Sequence, residues 1–303
     1  MVSSDPVSLA AERVGTIGVP VACNDVAATG GDPAWLTVVL FVPEDDPGVL
    51  DVVTAQVHEA ARETGVTVVG GHTEYNPDLP RPLLSLTAPG MADRVVPTGG
   101  AAPGDRVLLT TGAGIEGTAI LATDFRGRAT EGGLAPEVCE RAAGFFEELS
   151  VLPEARALGG DATAMHDPTE GGIIDGLLEL ATASGTVIAV DREAIPVREE
   201  TRTLCDAFDV DPLCVFGSGA VACDGPTRGH GPGPVDPRGR GHRGGRNRRG
   251  PGRVTPGGRR RRRAIRTTGP GRPLSPVGVA PRVAAQNSRV SSSRWSRPGR
   301  VPP

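Results

Sequence analysis

Three short stretches hold residues whose types and spacing could do chemistry. They are Asn24-Asp25 with Gly30-Gly31 just beyond, Gly70-Gly71-His72-Thr73-Glu74, and His166-Asp167-Pro168-Thr169-Glu170-Gly171-Gly172. Each sets small residues beside carboxylates. Glycine lets backbone N–H groups approach phosphate oxygens because no Cβ intervenes. Carboxylates hold Mg2+, which takes one or two of them and completes its shell with substrate phosphates and water. Together the three point to a phosphate or metal site, although Gly-Gly beside an acid is also ordinary turn chemistry. His72 and His166 adjoin the acids as general acid/base groups, as phosphate contacts or as hydrogen-bonded structural residues. Asp167, Pro168 and Glu170 suit the N-cap, N1 and N3 positions of a helix. Asp167 therefore either caps that helix or, with the N–H groups of its first turn, faces a phosphate or its metal. Gly112-Ala113-Gly114-Ile115-Glu116-Gly117-Thr118 reads either as a strand-to-helix phosphate turn or as helix entry with glycine for tight packing. No Walker A sequence and no G-x-S-x-G occurs,.

These stretches need elements to position them. An apolar run at 36–42 reads as a buried strand,. Asp46-Pro47 opens a helix that turns Val49, Leu50, Val53, Val57, Ala60 and Ala61 inward and ends near Gly65,. Strands are predicted at 66–69 and 83–88, followed by a Pro/Gly-rich break at 97–103. Beyond it the pattern predicts a strand at 106–110, helices at 115–125 and 134–149, and a helix carrying Ile173, Ile174, Leu177, Leu178 and Ala181,. A strand at 186–190, a helix at 198–208 and a strand at 213–222 follow, while residues 1–35 show little periodicity. The alternation predicts an α/β (α+β) class in two units, with the three acidic stretches at strand-to-loop exits.

Charge divides the chain. Residues 1–224 hold 12 basic and 35 acidic residues, a net −23, whereas residues 225–303 hold 20 arginines and one acid, a net +19. No lysine occurs. The acidic part resembles chains that stay dispersed in concentrated salt. Residues 225–303 also contain 16 Gly and 13 Pro, too little apolar surface to offset ordering entropy, so disorder is expected there. The five cysteines form no C-x-x-C pair and support neither a disulfide framework nor a zinc site. With no signal-peptide pattern and no run of membrane-spanning length, the expected compartment is the cytoplasm.

The motifs resemble the aminoimidazole ribonucleotide (AIR) synthase-related superfamily. The likeness rests on Asn24-Asp25-Val26-Ala27-Ala28-Thr29-Gly30, the Gly-Gly-His-Thr-Glu block, the stretch from Gly112 to Ala122, the stretch from His166 to Gly172, and Asp211-Pro212-Leu213, in that order. That superfamily includes selenophosphate synthetase, thiamine-monophosphate kinase and the hydrogenase-maturation carbamoyl dehydratase, and the likeness is nearest to archaeal relatives of the last. It implies an N-terminal ATP-binding and dimerisation domain over 1–98, a partial C-terminal domain over 99–224, and a homodimer built through the N-terminal sheets with ATP near the seam. It further implies that an amide-type oxygen of a small-molecule or protein-borne acceptor is phosphorylated, with Mg2+ neutralising charge on the transferred group. Carried over, Asn24, Asp25, Gly70, Gly71, His72, Thr73, Glu74 and Asp167 would contact the nucleotide. Asp5, Asp25 and Asp167 would contact the metal, and His72 and His166 would be the catalytic candidates.

Alternatives are a nucleotide-binding but inactive or truncated relative, and a protein that contacts nucleic acid through its tail. Twenty arginines, with Arg259 to Arg263 consecutive, would attract phosphate non-specifically and with strong salt dependence. The family pattern has a longer segment before Asp5-Pro6, continues its second domain past Gly217-Ser218-Gly219, and in the dehydratase branch ends in an acceptor cysteine. Here Gly225 begins the Arg/Gly/Pro tail, which ends Val301-Pro302-Pro303. The flip from −23 to +19 is what a shifted reading frame in GC-rich DNA would yield. Resequencing the gene and translating its other frames beyond residue 223 checks this: an α/β pattern is expected in another frame, and its absence sinks the idea.

Overall fold

Ser3, Asp5 and Val7 alternate with Val2, Ser4 and Pro6 along β1 (Val2–Val7), so the first set shares the more covered face,. The chain continues through α1 (Val14–Ala28), β2 (Asp32–Pro33), β3 (Trp35–Val42), α2 (Pro47–Thr64), β4 (Thr67–Tyr75) and β5 (Leu83–Met91). These strands form one sheet in the order β1-β5-β3-β4, with β2 beside β5. The β3–β4 pair is parallel, with α2 as its crossover, and the other pairs are antiparallel,. The second half comprises β6 (Arg106–Leu109), α3 (Ile115–Thr123), α4 (Arg126–Glu131), α5 (Pro136–Ala143), α6 (Leu152–Leu158), β7 (Ala162–His166), α7 (Gly172–Ala183), β8 (Ala189–Val190), α8 (Glu199–Phe208), β9 (Val221–Asp224) and β10 (Arg263–Ala264). Antiparallel strands β6, β9 and β7 form a second sheet in that order, and β10 pairs with β8. The α/β (α+β) class is as expected. The structure, a computed structural model, describes residues 1–43, 47–158, 160–218, 221–224 and 263–264, all within the unit Met1–Thr267. The expectation of disorder over 225–303 lies outside the described residues, apart from Arg263–Ala264. Among the described residues, no helix is long and apolar enough to cross a membrane.

The sequence reading and the structure differ at several elements, and for α1 the reason is burial. Residues 14–28, read as aperiodic, form α1 because 12 of its 15 residues are buried, which leaves no polar stripe to reveal a helix,. Gly70 to Glu74 is not a loop after a strand but the body of β4. The helix expected at 134–149 is α5 followed by a 3-10 turn at Gly144–Glu148, and α4, α6 and β7 lie where no element was predicted. The 213–222 strand shortens to β9, beginning at Val221, and 186–190 shortens to β8.

One apolar core runs through both halves. It takes in Ile17 of α1, Leu36 of β3, and Leu84 and Leu86 of β5, then Ile115 of α3, Phe146, Leu149 and Met165 of β7. Asn24 and Asp124 are among the polar side chains that tie the halves together. Asn24, fully buried in α1, donates through Nδ2 to the Leu149 carbonyl at 2.7 Å and accepts from Val151 N–H at 2.9 Å. Asp124, at the end of α3, accepts from the N–H groups of Ala10 and Ala11 and from Arg81 Nη1, each at 3.0 Å. Asn24→Ala would remove the partner of one buried donor and one buried acceptor, a loss of about 3 kcal/mol. Urea denaturation checks this, and a change below about 1 kcal/mol would show that the clamp matters little.

Candidate functional site

Asp5 and Ser3 lie on one face of β1, and the last turns of α1 set Asp25 against them. The Ser3 hydroxyl is 2.7 Å from Asp25 Oδ2 and 3.1 Å from Asp5 Oδ2, so it can donate to either. The two carboxyl groups are themselves within hydrogen-bonding reach, and burial followed by the Asp25 charge raises the Asp5 pKa. Two crowded carboxyl groups sharing a single hydroxyl form an oxygen donor set suited to a hard divalent cation. Asp25 and Ser3 also line a cavity of about 280 Å3 together with Thr29, Thr98, His166 and Asp167. Candidates from the first and third stretches thus meet at one cavity. Asp167 is buried there. Among the described residues, no three His, Cys, Asp or Glu side chains converge as a metal site; Asp5 is paired with Asp25, and Asp167 lines the same cavity as Asp25. Asn24 points away from this cavity into its buried clamp.

Of the three acidic stretches, only the third leaves a strand end: β7 stops at His166. The expected capping box is not formed. Helix α7 begins at Gly172, its N-cap is Gly171 in the left-handed region (φ 75°), and Gly172 also has positive φ (63°). Two such glycines in succession postpone the helix by four residues beyond Pro168, which frees Asp167 from capping. The first-turn N–H groups do not all face a phosphate, since Ile174 N–H donates to the Leu213 carbonyl at 3.2 Å. The 211–218 segment also meets α3, where Gly117 N–H donates to the Phe216 carbonyl at 2.9 Å. A Cβ at Gly117 would lie 3.0 Å from Phe216 N. Of the two readings for residues 112–118, the structure thus favours close-packed helix entry.

The second stretch stands apart. β4 is at the opposite edge of the sheet from β1, about three strand spacings or ~14 Å away. All nine of its residues are exposed, and His72 Nε2 lies 3.1 Å from Glu74 Oε2 in solvent. Gly70, Gly71, His72, Thr73 and Glu74 do not line the Asp25 cavity of the same chain. The glycine at position 71 has a local reason: a Cβ there would fall 2.0 Å from the Val38 carbonyl oxygen.

Sequence reasoning missed three residues near the cavity. Ser3 had a signal in its i, i+2 spacing from Asp5, which puts both on one strand face. Thr98 lines the cavity, and Glu179 meets His166 Nε2 through Oε2 at 2.6 Å. Neither carries a local signal, because folding alone brings them there.

A sheet flanked by helices, continuous with a second half and carrying an acidic pair at the junction, defines a two-part α/β protein. The chain belongs to the AIR synthase-related family: its N-terminal and C-terminal domain models match residues 2–92 and 102–226. It is 33% identical over 215 residues to the carbamoyl dehydratase HypE of Azotobacter vinelandii, covering 69% of this chain and 60% of that protein. It is 28% identical over 228 residues to a hydrogenase expression/formation protein of Methanocaldococcus jannaschii, covering 71% and 63%. The chain thus spans about 60% of the length of these curated relatives. A crystal structure of the hydrogenase maturation protein HypE in complex with ATP superimposes with a TM-score of 0.64 at 28% identity, over 74% of this chain and 68% of that one.

The 211–218 segment is secured by a buried carboxyl. Ser218 Oγ donates to Glu116 Oε2 at 2.7 Å, and burial raises the Glu116 pKa above its ordinary value. The neutral acid is therefore the form that the fold favours. Its contribution is fully present below the unfolded-state pKa and is lost as pH rises through the higher folded-state value. Glu116→Gln is neutral throughout and should escape that loss. Thermal melts from about pH 4 to about pH 8 should show the variant gaining on the wild type as pH rises, and a constant difference would refute this.

Proposed function

We propose that this chain is an ATP-dependent enzyme that phosphorylates an amide-type oxygen on a small-molecule or protein-borne acceptor. The observation that carries the reading is the Asp5–Ser3–Asp25 cluster, next to a cavity that His166 and Asp167 share with Asp25. A volume of about 280 Å3 lies at the lower end of small-molecule pockets, enough for the phosphate portion of a nucleotide. The ATP complex of HypE, at 28% identity, supports ATP as the phosphoryl donor.

In this reading Asp5 and Asp25 hold Mg2+, and Asp167 reaches the same phosphates from the second half. A bound Mg2+ would supply neutralisation of the charge that develops on the transferred phosphoryl group. The Ser3 hydroxyl keeps the two carboxylates oriented, and His166 contacts the phosphate or the acceptor oxygen. The exposed β4 supports a homodimer formed through the N-terminal sheets. There Gly70, Gly71, His72, Thr73 and Glu74 of one copy would join the Asp25 cavity of the other and complete the nucleotide site.

Calorimetric titration with Mg·ATP, paired with an ADP-release assay, tests the reading. Asp25→Ala is expected to lower ADP release by about 100-fold or more, the scale of losing a principal electrostatic contact to the transferred group. Unchanged release in that variant would overturn the assignment. Tight binding without release in the wild type would instead mark a nucleotide-binding, inactive relative.

A further inference from the structure

We infer that Glu179 is a positioning residue for His166, holding the imidazole in one orientation and one tautomer at the cavity wall. The inference rests on the proposed phosphoryl-transfer site only for the role of His166; the geometry stands by itself. β7 ends at His166, and α7 runs beside it. Glu179 Oε2 lies 2.6 Å from His166 Nε2. A carboxylate accepts, so Nε2 carries the hydrogen, and in the neutral ring Nδ1 is the nitrogen with a lone pair to offer. Which ring nitrogen can accept is set in this way by the hydrogen bond that the other one makes.

The ring is close-packed on its helix side. Gly176 lies one turn before Glu179 on the same face of α7. A Cβ at position 176 would fall 2.4 Å from Pro168 Cβ and 3.4 Å from His166 Cδ2. The missing side chain thus lets Pro168 sit against the helix with the ring edge beside it. The His166 side chain is 23% exposed and that of Glu179 is 61% exposed. The acid therefore holds the ring from the solvent side while the imidazole contributes to the cavity wall.

Glu179 has no place among the acidic stretches that point to phosphate or metal, and it does not line the cavity. Its effect must pass through His166. Removing such an orienting partner from a functional histidine costs about 10- to 100-fold where comparable pairs support metal ligands.

The test uses the full chain labelled with 15N. Long-range proton–nitrogen spectra of the imidazoles, with the His166 signals assigned by their loss in His166→Asn, should show a single tautomer bearing hydrogen on Nε2. Glu179→Ala should convert it to a mixture, and Glu179→Gln, whose amide oxygen still accepts, should restore it. With Mg·ATP, Glu179→Ala should lower kcat for ADP release by about tenfold or more with KM changed less than about twofold, and Glu179→Gln should recover most of the loss. An unaltered tautomer in Glu179→Ala, or an altered tautomer with unchanged kcat, would overturn the inference. If the wild type releases no ADP, the proposed function fails, while the tautomer measurement still decides the role of Glu179.

Discussion

The buried amide of Asn24 is the constraint on which the site depends. Its two hydrogen bonds to the 149–151 backbone fix the last turn of α1 against the second half of the chain. Asp25 is the next residue, so whatever holds Asn24 also sets the distance from Asp25 to the β7 end that carries His166 and Asp167. An amide suits this role better than a carboxylate, because it donates and accepts at once and carries no charge into a dry core. Asp124 performs the companion task at the other end of the seam, where its carboxylate meets two N–H groups and a guanidinium and so keeps its charge compensated.

The glycine-rich stretches serve the architecture at least as directly as they serve a ligand. Gly114, Gly117 and Gly172 each make room for the 211–218 backbone, whose atoms would stand within about 3 Å of a Cβ at those positions. That segment threads between the starts of α3 and α7 and supplies carbonyls to both, satisfying N–H groups that a helix start otherwise leaves exposed. The left-handed Gly171 and Gly172 then carry the chain around the turn, so that Asp167 belongs to the cavity instead of to the helix.

The class of fold was legible because β3, α2, β5 and α8 show their periodicity in sequence, and the structure has them. Helix α1 was not, since Val14, Ile17, Val19, Ala22 and Val26 are all buried and burial on nearly every side erases the polar stripe. The acidic residues were legible as candidates, but their grouping was not. Asp5 beside Asp25 across β1 and α1, and Asp25 on one cavity with His166 across both halves, are groupings that spacing along the chain does not encode. The capping reading of Asp167 failed for a local reason: Asp-Pro-x-Glu satisfies a helix start by composition, while the Gly-Gly pair behind it dictates where the turn can close.

The continuous core gives the two halves a shared fate. Phe146, Leu149 and Met165 pack in the same cluster as Ile17, Leu84 and Leu86, so the interior of the first half is completed by the second, which also carries two apolar clusters of its own around Leu177 and Leu204. Separating them would bare that surface together with the buried partners of Asn24 and Asp124. Loss of structure in the second half therefore deprives the first of part of its interior, and the shared cluster couples the unfolding of the two,.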